Sequence, residues 1–146
     1  MILITGSAGK TGRAIIQALL NRQESIRAIV HRTDQISNLN ALGVEEVQVG
    51  ELHDLYALTQ AMQGVTAIYH IAPNVHPDEV TIGKTVIRAA QSANIEHFVF
   101  HSVLHPQVET MPHHWQKLRV EELIFESGLA FTILQPAVYM QNILVQ

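Results

Sequence analysis

Gly6, Gly9 and Gly12 stand three residues apart in Thr5-Gly6-Ser7-Ala8-Gly9-Lys10-Thr11-Gly12, directly after the apolar Ile2-Leu3-Ile4 and before a helical pattern that begins near Ala14. A strand that turns through glycines into a helix leaves the first N–H groups of that helix unpaired, which makes a seat for an anion such as the pyrophosphate of a dinucleotide. In this reading Gly6 permits the sharp turn off the strand, Gly9 lets the backbone approach the phosphates, and Gly12 lets the helix pack close to the sheet. The spacing is GxxGxxG rather than GxGxxG, and glycines at such a turn also occur for structural reasons alone. Gly9-Lys10-Thr11 matches the end of the triphosphate-binding pattern GxxxxGK[ST] as well. The first glycine of that pattern would fall at Ile4, inside the strand and with too little chain before it, so this reading fails.

A second position tests the first. About twenty residues after such glycines, at the end of the next strand, an acid bonds the ribose diol and a base accommodates a 2′-phosphate. The residues there are Ile29-Val30-His31-Arg32-Thr33, with no acid before Asp34. Arg32 therefore favours NADPH over NADH. Two charge-assisted contacts at roughly 1.5–3 kcal/mol each would give a preference of about tenfold or more. The plain alternative is an arginine that caps a solvated strand end.

The elements that must position these residues follow from the pattern of apolar side chains. Short β-branched or aromatic segments fall at about 2–5, 26–31, 45–49, 66–71, 96–101 and 131–135. Helical stripes lie between them: Ile15, Ile16, Leu19 and Leu20; Leu55, Leu58 and Met62; Ile82, Val86, Ala89, Ala90 and Ala93; Val120, Leu123 and Ile124. A shorter helix covers about 34–42 and ends at Gly43. Six strands with crossover helices predict a Rossmann-type doubly wound parallel sheet in the order 3-2-1-4-5-6, with the ligand crevice where the order reverses.

Composition agrees with one such domain over residues 1–146. The hydrophobic content is 47% and the charged content 15%, enough for a buried core. A formal net charge of -4 and the lack of a basic stripe with interleaved aromatics argue against nucleic acid as a partner. There is no cysteine, hence no disulfide and no thiolate chemistry. Met1 leads directly into the first strand, and no apolar run approaches the ~18 residues of a membrane span. The expectation is a cytoplasmic domain that works without a membrane.

Longer motifs add a resemblance. Beside the Thr5 to Gly12 loop stand Gly50-Glu51-Leu52-His53-Asp54 after the third strand, Gly64-Val65-Thr66-Ala67-Ile68 entering the fourth, Glu121-Glu122-Leu123-Ile124-Phe125-Glu126-Ser127-Gly128-Leu129, Phe131-Thr132-Ile133-Leu134-Gln135-Pro136, and Asn142. Over about residues 1–142 the chain resembles the nucleotide-binding part of an atypical short-chain dehydrogenase/reductase of the NmrA-like branch, which includes quinone reductases and isoflavone-reductase-like enzymes. The resemblance implies that Gly6, Ala8, Gly9, Lys10, Thr11 and Gly12 hold the pyrophosphate and adjacent ribose, and that Arg32 takes the 2′-phosphate. It implies that Glu51 and Leu52 border the adenine and that Ile71, Ala72 and Pro73 line the cofactor groove. Ser102, ending the fifth strand, matches a serine often found beside the nicotinamide. Lys117 matches the lysine of the YxxxK helix, which would bond the nicotinamide ribose hydroxyls and lower the pKa of a nearby donor.

The departures concern the proton. Four residues before Lys117 stands His113, where the tyrosine-dependent branch has its general acid. His113 shares a helix face with Lys117 and can donate a proton; the alternative is a solvated histidine at a helix start. Gln135 and Ala137 stand where the family often has arginine and glycine. Trp115 reads as a packing or rim residue. His97, His101 and His105 are spaced four apart across a strand and loop, where that spacing gathers no ligands, and His113-His114 are neighbours pointing apart, so no metal site is expected.

The resembling enzymes run to about double this length, and their C-terminal lobe forms most of the substrate pocket. Two functions follow. One is an NADPH-dependent reductase that passes hydride to a small electron-poor acceptor such as a quinone, with Lys117 positioning the cofactor and Ser102 or His113 assisting protonation. The other is a redox-sensing regulatory module that binds NADP(H) and a protein partner without turnover. The residues leave a homodimer open.

Overall fold

The computed structural model describes residues 1–73 and 75–144. Its six strands are β1 (Ile2–Ile4), β2 (Ile26–Val30), β3 (Glu46–Val49), β4 (Ala67–His70), β5 (His97–His101) and β6 (Phe131–Leu134), all parallel in one sheet ordered β3-β2-β1-β4-β5-β6. The order reverses beside β1, whose Ile4 pairs with Ala28 on one side and Tyr69 on the other. The crevice of a doubly wound sheet opens at that point.

Strand alternation divides the core into two layers. On one face Ile4, Ala28 and Val30 pack against Ile16 of α1 (Lys10–Leu20) and Leu39 of α2 (Ile36–Asn40). On the other, Leu3, Ile29, Ile68, Phe98 and Phe100 pack against α3 (Leu55–Ala61), α4 (Glu79–Ser92) and α5 (Pro112–Glu126) through Leu58, Ile82, Val86, Val120 and Ile124. Each apolar stripe of the sequence therefore faces the sheet. Gly83 lets α4 and α5 approach: a Cβ there would lie 2.8 Å from Val120 Cγ2.

Local chemistry sets the boundaries. β1 ends at Ile4, one residue short of the expected Thr5; the Thr5 N–H still donates to the Tyr69 carbonyl at 3.1 Å, and its hydroxyl bonds both the N–H and the carbonyl of Ile71. The segment over 34–42 divides into a 3₁₀ turn (Thr33–Gln35) and the short α2, and Gly43 at φ +100° ends it as expected. Asp54 caps α3 by accepting from the N–H groups of Tyr56 and Ala57. Pro112 occupies the first turn of α5, where its missing N–H costs nothing. A 3₁₀ turn, Met140–Leu144, follows β6. Among the described residues no helix is long and apolar enough to cross a membrane.

Candidate cofactor groove and active site

The glycine loop after β1 closes tightly. Gly6 adopts φ +61°, and a Cβ there would lie 2.9 Å from both Cβ and the carbonyl oxygen of Ile71, so the loops after β1 and β4 touch at this residue. The Ser7 hydroxyl, buried, donates to the Ile29 carbonyl at 2.8 Å and ties the loop to β2. Gly12 is needed for a reason other than helix-to-sheet packing. Its Cβ would stand 2.3 Å from the Gly6 carbonyl oxygen and 2.7 Å from Ser7 Cα, so the first turn of α1 is seated against its own entry loop.

The same turn presents backbone donors. Gly9 precedes α1 with no side-chain cap and no acid in the first turn, and among the described residues the N–H groups of Lys10, Thr11 and Gly12 have no backbone acceptor. Such a set of donors fits a pyrophosphate. The groove that begins here has a volume of about 1040 Å³, ample for a dinucleotide. Its lining brings together Gly6 through Gly12, Glu51, Leu52, Ile71, Ala72, Pro73, Ser102, His113 and Lys117. The outermost of these groups, Gly6 and Lys117, are more than a hundred residues apart in the chain, and the strand order gathers them.

Arg32 stands just outside that lining, while its neighbours His31 and Gln35 lie within it. Its Nε donates to Asp34 Oδ1 at 3.0 Å, with the side chain largely exposed. Trp115 is likewise outside, covered by the Arg119 guanidinium 4.6 Å from its ring.

At the far end of the groove two buried carboxylates hold the two central residues from behind. Lys117 Nζ donates to Glu79 Oε1 at 2.6 Å and lies 5.5 Å above the Phe100 ring; Glu79 is fully buried and its Oε2 has no partner among the described residues. The buried Ser102 hydroxyl donates to Glu121 Oε1. Gln135 Nε2 donates to both oxygens of Glu121 at 3.0 Å, which gives the glutamine after β6 a defined task. His113 packs edge-on against His114, ring centroids 4.5 Å apart.

Glu79, Glu121 and His70 escaped the sequence reading because each looks there like an ordinary helix or strand residue. The only available signal was the charge itself at positions whose neighbours in the helical stripe are apolar, Ile82 beside Glu79 and Val120 beside Glu121. His70 is fully buried on β4, stacked 5.8 Å from Phe100, with Nδ1 2.8 Å from Thr5 Oγ1 and Nε2 unpaired among the described residues. Burial, helped by the charge of Lys117, pushes its pKa down from 6.5 to about 3. The consequence is acid sensitivity. Above 6.5 the ring is neutral folded and unfolded; below it the unfolded chain takes a proton that the native state refuses until about 3. Stability should fall across this window by about 1.4 kcal/mol per pH unit from this group. Urea midpoints measured from pH 7 to 4 should fall less steeply in His70→Gln, and equal slopes would show that His70 is protonated or exposed in the native protein.

The three histidines of the spacing 97, 101, 105 do not converge on an ion: His97 bonds Thr132, and His101 bonds Tyr69 and Tyr139. Among the described residues the grouping that the fold makes is His53, His76 and Asp78, whose ligand atoms lie within 4.8 Å of one another at the groove rim. It joins loops 23 residues apart in sequence, which spacing arguments could not see.

Comparison with known proteins places this geometry. The NmrA-like family model matches residues 1–145. The NAD(P)H azoreductase of Xenophilus azovorans is 31% identical, covering 99% of this chain and 50% of its own length. Quinone oxidoreductase 2 of Escherichia coli (strain K12) is 29% identical, covering 99% of this chain and 51% of its own. A crystal structure of an NADPH-dependent quinone oxidoreductase from Escherichia coli, complexed with NADPH, superposes with a TM-score of 0.89 at 29% identity, over 99% of this chain and 51% of that one. The chain thus spans about half the length of the relatives it matches. With the glycine loop, the strand order and the match over nearly every residue in agreement, the chain belongs to the NmrA-like family.

Proposed function

We propose that this chain is the nucleotide-binding part of an NADPH-dependent reductase that passes hydride to a small electron-poor acceptor such as a quinone. The observation that carries the reading is one continuous groove running from the uncapped N-terminus of α1 to the anchored pair Lys117 and Ser102. Relatives named as quinone and azo reductases support it.

The bound nicotinamide supplies the hydride; the protein's part is to hold and polarise. The N–H groups of Lys10, Thr11 and Gly12 receive the pyrophosphate, Glu51 and Leu52 border the adenine, and Ile71, Ala72 and Pro73 form a wall. Asp34 binds Arg32 through Nε, which leaves both terminal nitrogens for a 2′-phosphate. Lys117 spends one of its three donors on Glu79 and keeps two for ribose hydroxyls. The proton of Ser102 goes to Glu121, so this hydroxyl serves as an acceptor towards the groove.

Titration with NADPH and NADH, followed by nicotinamide fluorescence, should show tighter NADPH binding, with a preference that falls by about tenfold or more in Arg32→Ala. Equal affinities in the wild type would remove the phosphate role of Arg32. Steady oxidation of NADPH on addition of a quinone tests the reaction itself. Tight binding without turnover would favour a NADP(H)-sensing module that acts through a protein partner.

A further inference from the structure

The tyrosine expected four residues before Lys117 is replaced by His113; Ser102 beside it has its one proton committed to Glu121, and Lys117 is anchored on Glu79 with its other two donors left for ribose hydroxyls. A different tyrosine reaches the groove. Tyr139, from the segment after β6, lines it together with Ser102, His113 and Lys117, and its hydroxyl lies 2.6 Å from His101 Nε2. The other ring nitrogen, Nδ1, lies 2.9 Å from the hydroxyl of Tyr69 on β4. Alternation along β5 turns His101 to the opposite face from Ser102, so the end of the groove has Ser102 and Lys117 on one side and this chain of three side chains on the other. We propose that Tyr139 is the proton donor of the reductase reaction, positioned by His101 and Tyr69.

The direction of the hydrogen bonds supports the role. A neutral imidazole has one donor and one acceptor nitrogen, so bridging two phenols admits two arrangements. In one, the Tyr69 O–H donates to Nδ1 and Nε2–H donates to Tyr139, whose own O–H is left for the groove. In the other, the free O–H belongs to Tyr69, which is partly buried and has no second partner among the described residues, an arrangement that wastes a desolvated donor. The first is therefore favoured, and the spare proton sits on Tyr139, 39% exposed. Burial, reinforced by Lys117, lowers the His101 pKa, which keeps the bridge neutral.

The step balances. A quinone that has gained the hydride carries a negative oxygen; the Tyr139 O–H bond breaks, its proton forms the second hydroquinone O–H, and the phenolate accepts from His101 Nε2–H until a solvent proton restores it. This assignment rests on the reductase reading, so the experiment separates the two. Wild type, Tyr139→Phe and His101→Phe are compared over residues 1–146 for NADPH affinity, NADPH oxidation with a quinone, and the ¹⁵N resonances of the His101 ring without nucleotide. Tyr139→Phe should lose turnover on the order of 10²-fold with NADPH affinity unchanged. His101→Phe should lose about tenfold. The His101 Nε2 resonance should move in Tyr139→Phe. Wild-type turnover that persists in Tyr139→Phe overturns the donor assignment alone, as do His101 resonances indifferent to Tyr139. A wild type without turnover overturns the reductase reading and this assignment with it.

Discussion

Gly12→Ala should destabilise the protein by about 4 kcal/mol or more and remove dinucleotide binding altogether. In most helices the same change is favourable by up to about 1 kcal/mol, because alanine has the higher propensity. Here the new Cβ would meet backbone: the Gly6 carbonyl oxygen at 2.3 Å, Ser7 Cα at 2.7 Å and Gly6 carbonyl carbon at 2.9 Å. The loop has no room to retreat, since Gly6 is itself packed on Ile71 at φ +61° and Ser7 is tethered to Ile29. Relief would come only by tilting the first turn of α1 away, which disperses the N–H groups of the anion seat. Urea unfolding with an NADPH titration on the same samples measures both effects. Gly64→Ala is the control: it has a positive φ of 72° but nothing within 4 Å, so its cost should stay near the roughly 1–2 kcal/mol of backbone strain. A Gly12→Ala protein as stable as wild type would mean that α1 does not sit this close to its loop.

Lys117→Met should cost about 3–5 kcal/mol, the usual penalty for stripping one partner from a buried pair. The reason lies with Glu79, fully buried and already short of a partner at Oε2, which would keep its desolvation without its cation. Adding Glu79→Gln to Lys117→Met should recover most of that loss, because the carboxylate that needed compensation is gone. The four proteins form a double-mutant cycle, and a coupling of several kcal/mol is the expected outcome. A Lys117→Met protein within about 0.5 kcal/mol of wild type would show that the pair opens to water. The ion pair with Glu79 fixes the direction of Lys117 in the groove.

The fold was legible because its signals are local and repeated. β-branched segments such as Ile26–Val30 and stripes such as Ile82, Val86 and Ala89 commit each element to one face, and glycines at φ +61° and +100° mark the turns where they were expected. Right-handed crossovers then leave little freedom in strand order, and the observed order is the one expected. Boundaries moved by a residue or two: β1 ends at Ile4 although the Thr5 N–H still reaches the Tyr69 carbonyl, and the helix over 34–42 begins as a 3₁₀ turn where the Gln35 side chain takes the Arg32 N–H.

The site divides along the same line. By itself the sequence determined the sheet, the glycine loop and most of the named residues that line the groove, because strand, turn and helix propensities act between near neighbours. Only the tertiary structure decided what those residues touch. It paired Lys117 with Glu79 across 38 positions, Ser102 with Glu121 across 19, and His101 with both Tyr69 and Tyr139, and it turned Arg32 onto Asp34. Those pairings depend on burial and on the meeting of distant strands and helices, which fix both the desolvation of a charge and the partner within reach of it, and neither quantity is carried by the spacing of residues along the chain.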